Sequence, residues 1–356
     1  AATPPAPPAP APPGAEPGGH AFRYVGEAGG VEEALAGRAG LPFSAIATGQ
    51  VRGRAVWTAA ANLARMVRGT QQCRRIIREF RPDVVFMTGG YVAAPVAWAA
   101  ATSRVPLLIY LPDLTPGRAI ALTSRFARKV AVSFPEVARY FPGKAVVTGY
   151  PVRPELLAAE KPAARQALGL HPDLPVLLVF GGSRGARSIN RAVTAALPAL
   201  LPHCQIVHVS GQLDWPEVEH ATQGLAGTLL PGLFARYHPY PYLHEEMVQA
   251  LAAADLVVAR AGASVLGEFP ARGLPSILVP YPYAGQHQDA NAAYLADHGA
   301  AIVIVDSDLS ARLAPTILEL LDAPGELQGM SQAAARLAQP EAAYNIAHVL
   351  AELAGK

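Results

Sequence analysis

The sequence predicts an α/β protein with two Rossmann-like domains, whose parallel sheets face a cleft. Three observations predict it. The chain has 356 residues, enough for two cores at roughly 150 residues per domain. Short runs of Val, Ile and Leu alternate with amphipathic helical patterns, the mark of parallel strands buried on both faces. Glycine-containing loops follow several of those runs, at the strand ends where open α/β sheets bind ligands.

Composition excludes other classes. Hydrophobic residues make up 51% and charged residues 16%, so the chain is not disordered. A net charge of +2 excludes a globally basic nucleic-acid coat, and no nucleic acid is expected as a partner. Two cysteines, Cys73 and Cys204, provide neither a disulfide framework nor a CxxC zinc site, and suit a reducing, cytoplasmic setting. The longest uncharged run, Val84 to Ser103, contains Gly89, Gly90 and Pro95. It reads as strand, glycine loop and helix rather than a membrane span.

Taken in order, residues 1–21 carry eight prolines and read as a linker or surface loop, including Gly18, Gly19 and His20. The first domain, 22–150, is expected to have strands at 22–25, 83–87, 106–110, 129–134 and 145–148, with a long helix from Ala59 to Phe80. The second, 151–338, has strands at 175–180, 205–210, 255–259, 276–279 and 301–305. Its helices run over Ala186–Leu200, Ser264–Ala271 and Gln288–His298. Residues 339–356 read as a last helix, with the first domain as its packing partner. Between Arg52 and Arg81 lie eight arginines and one acid, Glu79. With Val56 and Trp57 beside it, this cluster suits an anionic membrane surface or a diphosphate; a solvated helix face is the plain alternative.

The chemistry is expected on four loops. Thr88-Gly89-Gly90-Tyr91 follows the second strand candidate. Gly181-Gly182-Ser183-Arg184-Gly185, Arg260-Ala261-Gly262-Ala263-Ser264 and Pro282-Tyr283-Ala284-Gly285-Gln286-His287-Gln288 follow strands of the second domain. A helix starting at Ala263 presents free N–H groups and a positive dipole end to a diphosphate, and Glu268 one turn on reaches ribose hydroxyls. Gly181 to Gly185 also fits G-x-S-x-G. A rival reading is therefore a serine hydrolase with Ser183, Asp255 and His287.

Six segments then show a resemblance: Tyr24 to Glu32, Thr88 to Val92, Thr148 to Arg153, Gly181 to Ala186, Arg260 to Ser264 and Gln288 to Ala292. In these segments and their order the chain resembles the MurG family of N-acetylglucosaminyltransferases over about 22–350. The resemblance implies a GT-B fold and inverting, metal-independent transfer without a cofactor, from UDP-N-acetylglucosamine to an undecaprenyl-diphosphate-linked acceptor in peptidoglycan synthesis. It implies a peripheral enzyme on the inner face of the plasma membrane. Transfer to another lipid acceptor, or a weakly active nucleotide-sugar-binding homologue, are the alternatives.

By the same resemblance, Arg153 and Ser183 contact the nucleotide sugar and its diphosphate, and Leu243 makes a backbone contact to uracil. Ala263, Ser264, Val265 and Leu266 cap the diphosphate, with Gly267 in the same turn. Glu268 binds ribose and Gln288 the sugar hydroxyls. Asp113 faces the sugar, and no catalytic base is assigned. There are three departures. The family's opening strand, Gly-Gly-Thr-Gly-Gly-His loop and helix have no counterpart, so the first domain is expected to be incomplete, the less stable half and poor in transfer. Tyr110-Leu111-Pro112-Asp113 replaces His-Glu-Gln-Asn, and Tyr150 replaces an Asn.

Overall fold

The structure, a computed structural model, describes residues 19–48, 56–90, 92–182, 185–227, 229–282 and 287–355. The first half runs β1 (Tyr24–Gly26), α1 (Val31–Arg38), β2 (Phe43–Ala45), α2 (Val56–Phe80), β3 (Val85–Met87), α3 (Ala93–Thr102), β4 (Leu107–Leu111), α4 (Arg118–Thr123), β5 (Lys129–Val132) and β6 (Ala145–Val147). Next come α5 (Pro154–Ala158), α6 (Lys161–Ala167), β7 (Val176–Phe180), α7 (Arg187–Leu200), β8 (Gln205–Val209), α8 (Trp215–Ala226), α9 (Pro231–Phe234) and β9 (Tyr237–Tyr240). The chain continues through α10 (Glu246–Ala253), β10 (Leu256–Ala259), α11 (Val265–Arg272), β11 (Ser276–Leu278), α12 (His287–Asp297) and β12 (Ala301–Val303). It closes with α13 (Leu309–Asp322), α14 (Pro324–Arg336) and α15 (Ala342–Leu353).

The second half forms one six-stranded parallel sheet in the order β12-β11-β10-β7-β8-β9. From β7 the chain winds outward through β8 and β9, then returns to β10 on the other side. The strand order therefore reverses between β7 and β10, the place where an open parallel sheet of this kind offers a crevice to a ligand.

The first half differs from the single sheet expected. β3-β4-β5-β6 form a four-stranded parallel sheet, whereas β1 pairs with β2 in a separate two-stranded one. Three-residue strands carry too little pattern to declare their neighbours, and β2 itself was not anticipated.

Side-chain alternation sorts the core into layers. On β4, Leu107, Ile109 and Leu111 face a large cluster that continues through Leu156 and Ala164 to Val176, Leu178 and Phe180 of β7. Both halves thus share a core. Leu177 and Val179 point to the opposite face, covered by Ile189, Val193 and Leu197 of α7 and Leu313 and Ile317 of α13. Leu108 and Tyr110 point away from the shared core and are covered by Ile346 and Val349 of α15. Asn345 Nδ2 adds a 3.2 Å hydrogen bond to the Thr148 carbonyl oxygen. A fourth cluster joins Ile46, Cys73 and Ala99, seating the β1–β2 ribbon on α2 and α3. Cys73 and Cys204 are buried free thiols, each pushed up to about 12 by burial. Among the described residues no helix is long and apolar enough to cross a membrane.

Candidate functional site

The crevice between β7 and β10 is bounded by the loop after each strand. Gly185 ends the first loop with φ +80°, and a Cβ there would collide with the Ser210 carbonyl oxygen. Only glycine therefore lets the loop lie this close to the β8 end. Ser183 lies outside the described residues, as do Arg184 and Tyr283 to Gln286.

The second loop, 260–264, enters α11 two residues later than expected. Ser264 is helical in backbone but precedes the helix, and the N–H groups of Val265 and Leu266 bond back to Gly262 (3.3 Å) and Ala263 (3.1 Å). These two amides are satisfied, so they are not the free donors expected. Those of Ala263 and Ser264 carry no backbone hydrogen bond among the described residues. Of the expected stretch Ala263 to Leu266, these first two amides keep the donor capacity of the helix start.

Glu268 lies on the first turn of α11 with its side chain 18% exposed. Arg153, immediately before α5 in the link that follows β6, places Nη2 3.4 Å from Glu268 Oε1. Burial raises the Glu268 carboxyl pKa above its ordinary value, opposed by Arg153 and by a hydrogen bond from Ser264. Gly267 is required by packing: a Cβ there would overlap the ring of Tyr150. Burial, then the nearby Glu268 and Asp113 charges, push Tyr150 up to about 12. Arg153, Tyr150, Ser264, Gly267 and Glu268 thus form one group, Tyr150 being a member whose role in packing was not anticipated.

Leu243 sits in the turn between β9 and α10, its side chain buried and its backbone N–H and C=O without backbone partners among the described residues. Gln288 is on the first turn of α12, where its Oε1 accepts the Tyr281 N–H at 2.9 Å. Asp113, on the loop after β4, accepts from Asn291 Nδ2 at 3.2 Å. His20 is exposed and outside regular structure.

A buried polar network behind the first loop was not legible beforehand. Asn190 Nδ2 donates to the Ser210 carbonyl oxygen (2.9 Å) and to Asp214 Oδ2 (3.3 Å). Its Oδ1 therefore accepts from His208 Nε2 (3.0 Å), and His208 Nδ1 accepts from the Tyr237 hydroxyl (2.8 Å). One neutral tautomer satisfies every atom. Arg260 forms a second clamp, with Asp306 Oδ1 at 2.5 Å, Ser188 Oγ at 2.8 Å and the carbonyl oxygens of Val279 and Pro280 both at 3.2 Å. It ties the ends of β10, β11 and β12 to the start of α7 beneath the second loop.

The hydrolase reading fails on Asp255. That residue lies at the opposite end of β10, held by Lys161 (2.5 Å), Arg165 (2.6 Å) and the Val176 N–H (2.7 Å). His287 instead meets Thr115 Oγ1 at 2.6 Å. Among the described residues no group of three or more His, Cys, Asp or Glu side chains is placed to hold a metal.

Two Rossmann-like domains with a ligand crevice at the switch point of the second define a GT-B glycosyltransferase architecture. Family models match at both ends: the glycosyltransferase family 28 N-terminal domain over residues 16–132 and the C-terminal domain over 176–348. The chain belongs to glycosyltransferase family 28. A relative from Roseiflexus sp. (strain RS-1) is 43% identical, covering 93% of this chain and 83% of that one. One from Desulforudis audaxviator is 42% identical, covering 94% and 90%. Both are named UDP-N-acetylglucosamine–N-acetylmuramyl-(pentapeptide) pyrophosphoryl-undecaprenol N-acetylglucosamine transferases. The crystal structure of Acinetobacter baumannii MurG is similar with TM-score 0.71 and 26% identity, covering 93% of this chain and 90% of that one. A Neisseria meningitidis UDP-GlcNAc 2-epimerase shares the fold, with TM-score 0.65 and 12% identity.

Proposed function

We propose that this chain transfers N-acetylglucosamine from UDP-N-acetylglucosamine to an N-acetylmuramyl-pentapeptide carried on undecaprenyl diphosphate, as its relatives are named for doing. The observation that carries the reading is the β7–β10 switch point, where Arg153 and Glu268 meet beside the amides of Ala263 and Ser264, which have no backbone partner among the described residues. The two amides and the positive end of α11 receive the donor diphosphate. Arg153 adds a guanidinium to it. Glu268 accepts from the ribose hydroxyls, and the free backbone groups of Leu243 hold uracil. Gln288 uses its NH₂ group for a sugar hydroxyl, its oxygen being engaged by Tyr281. Ser183 completes the diphosphate site.

In the reaction the acceptor hydroxyl attacks the anomeric carbon from the face opposite UDP, loses its proton to a general base, and inverts the centre. Charge accumulates on the departing diphosphate. Donors fixed by the fold before the reaction stabilise that charge without reorganising.

The acceptor is membrane-bound, and α2 suits a peripheral contact on the inner face of the plasma membrane. Arg65, Arg68, Arg74, Arg75 and Arg78 on α2 and Arg81 just beyond it are exposed, and Val67 among them is 51% exposed. Arg52 and Arg54 lie outside the described residues. Transfer of radiolabelled sugar from UDP-N-acetylglucosamine to the undecaprenyl-linked muramyl-pentapeptide tests the function. Label appearing in the lipid phase is expected. UDP release that ignores the lipid would refute the acceptor.

A further inference from the structure

The donor reading gives no role to the buried side chain of Asn291. Asn291 on α12 is 0% exposed. Its Nδ2 donates to Asp113 Oδ1 at 3.2 Å and to the Ala261 carbonyl oxygen at 3.1 Å. Its Oδ1 accepts the Leu114 N–H at 3.5 Å. One amide therefore joins three segments: the first-half loop after β4, the loop that opens α11, and the helix that carries Gln288.

The match is chemically specific. The surroundings present two acceptors and one donor, and an asparagine amide offers two donors and one acceptor. An aspartate at 291 would set a second carboxylate against Asp113. A leucine would leave a carboxylate, a carbonyl and an N–H unsatisfied in a buried place. Two further contacts follow the same seam. Thr115 Oγ1 meets His287 Nδ1 at 2.6 Å, and the Phe134 and Tyr294 rings lie 4.7 Å apart. Because α12 supplies both contacts, the seam works as a unit.

We infer that Asn291 is a positioning residue that couples the two halves of the site, locking the 113–115 loop to the 261–264 loop. Ordering of the second loop by a nucleotide diphosphate is then transmitted through one amide to the loop on the other side of the cleft. Asp113 takes part through Oδ1, and this bond orients its carboxylate. The inference rests on the transferase reading for its purpose, but its geometry does not depend on the acceptor.

Hydrogen exchange on the full chain, with and without UDP, tests it. In the wild type, saturating UDP should slow exchange at Leu114 as well as at Ala263 and Ser264. In Asn291→Leu, UDP affinity by calorimetry should stay within about threefold, because no proposed UDP contact is removed. Exchange at Leu114 should rise about tenfold, the worth of one or two lost hydrogen bonds, and should no longer respond to UDP. Asp113→Ala, which leaves the buried amide in place, should weaken the response and keeps the test open if Asn291→Leu folds poorly. A Leu114 amide that UDP protects equally in wild type and both variants would overturn the inference. So would one that UDP never protects in a wild type that binds it. If the wild type binds no UDP, the donor reading falls instead. The lock is then judged on the tenfold rise at Leu114 in ligand-free protein, whose absence refutes it.

Discussion

Acidification should weaken the second half through a single imidazole. His208 is fully buried on β8, and burial lowers its pKa from 6.5 to about 4. In the unfolded chain the ring titrates near its ordinary value, so below pH 6.5 the unfolded state binds a proton that the folded state refuses. The stabilisation is therefore present above pH 6.5 and is lost as pH falls toward 4. At about 1.4 kcal/mol for each tenfold in proton affinity, the full loss is ~3 kcal/mol, with about 2 kcal/mol of it between pH 7 and pH 5. His238 on β9 is lowered in the same direction by burial, so the wild-type slope alone does not isolate His208. His208→Gln does: it removes the titrating ring but keeps an amide able to reach Asn190. Urea titrations at pH 7 and pH 5, followed by amide protection in β7 and β8, give the comparison. The variant should be the less stable at pH 7, and its deficit should shrink by about 2 kcal/mol at pH 5. A deficit that stays constant between the two would refute the reasoning.

Three further outcomes are expected. Glu268→Ala should weaken UDP binding by about 1–3 kcal/mol in calorimetry, since a charged acceptor of ribose hydrogen bonds is lost; unchanged affinity in a folded variant counts against that role. Gly267→Ala should cost about 1–3 kcal/mol in thermal unfolding because its methyl overlaps Tyr150, and Tyr150→Ala should recover part of it; equal losses with and without the ring would sink the packing argument. Changing Arg68, Arg74 and Arg78 to Glu should release the protein from anionic vesicles at low salt while UDP binding persists. A wild type that ignores such vesicles rules out the proposed contact.

Where the sequence was eloquent, the reason is burial on both faces. Runs such as Val176 to Phe180 and Leu256 to Ala259 are apolar throughout and bounded by turns, so strand and loop positions followed directly. β9 escaped notice because Tyr237-His238-Pro239-Tyr240 carries a proline and mixed polarity, tolerable only at the sheet edge where it lies. Phe43-Ser44-Ala45 was too short to read. At the site, Glu268 was legible as a carboxylate one turn past a glycine-containing loop and Arg153 only through the family resemblance, and their mutual contact spans 115 residues of chain and has no local signature. Asn190, His208 and Asn291 were missed for a related reason. Each is polar in an otherwise ordinary helix or strand, and only tertiary packing shows that its partners are buried with it. The start of α11 was misjudged because Ser264 follows the helical backbone without closing a hydrogen bond as a cap.

The way α15 closes over the outer face of the β3–β6 sheet bears on how the chain comes off the ribosome. Leu108, Tyr110 and Ala131 have their cover supplied by Ile346 and Val349. The Asn345 to Thr148 bond spans 197 residues. At about 5–20 residues per second, that gap lasts some 10–40 seconds, during which an apolar sheet face stays open to water while the second domain is being made. The first-made domain is therefore the last to be finished. A nascent chain halted before α15 should bind a chaperone or a hydrophobic dye through that face, and should lose the signal once residues 342–353 emerge.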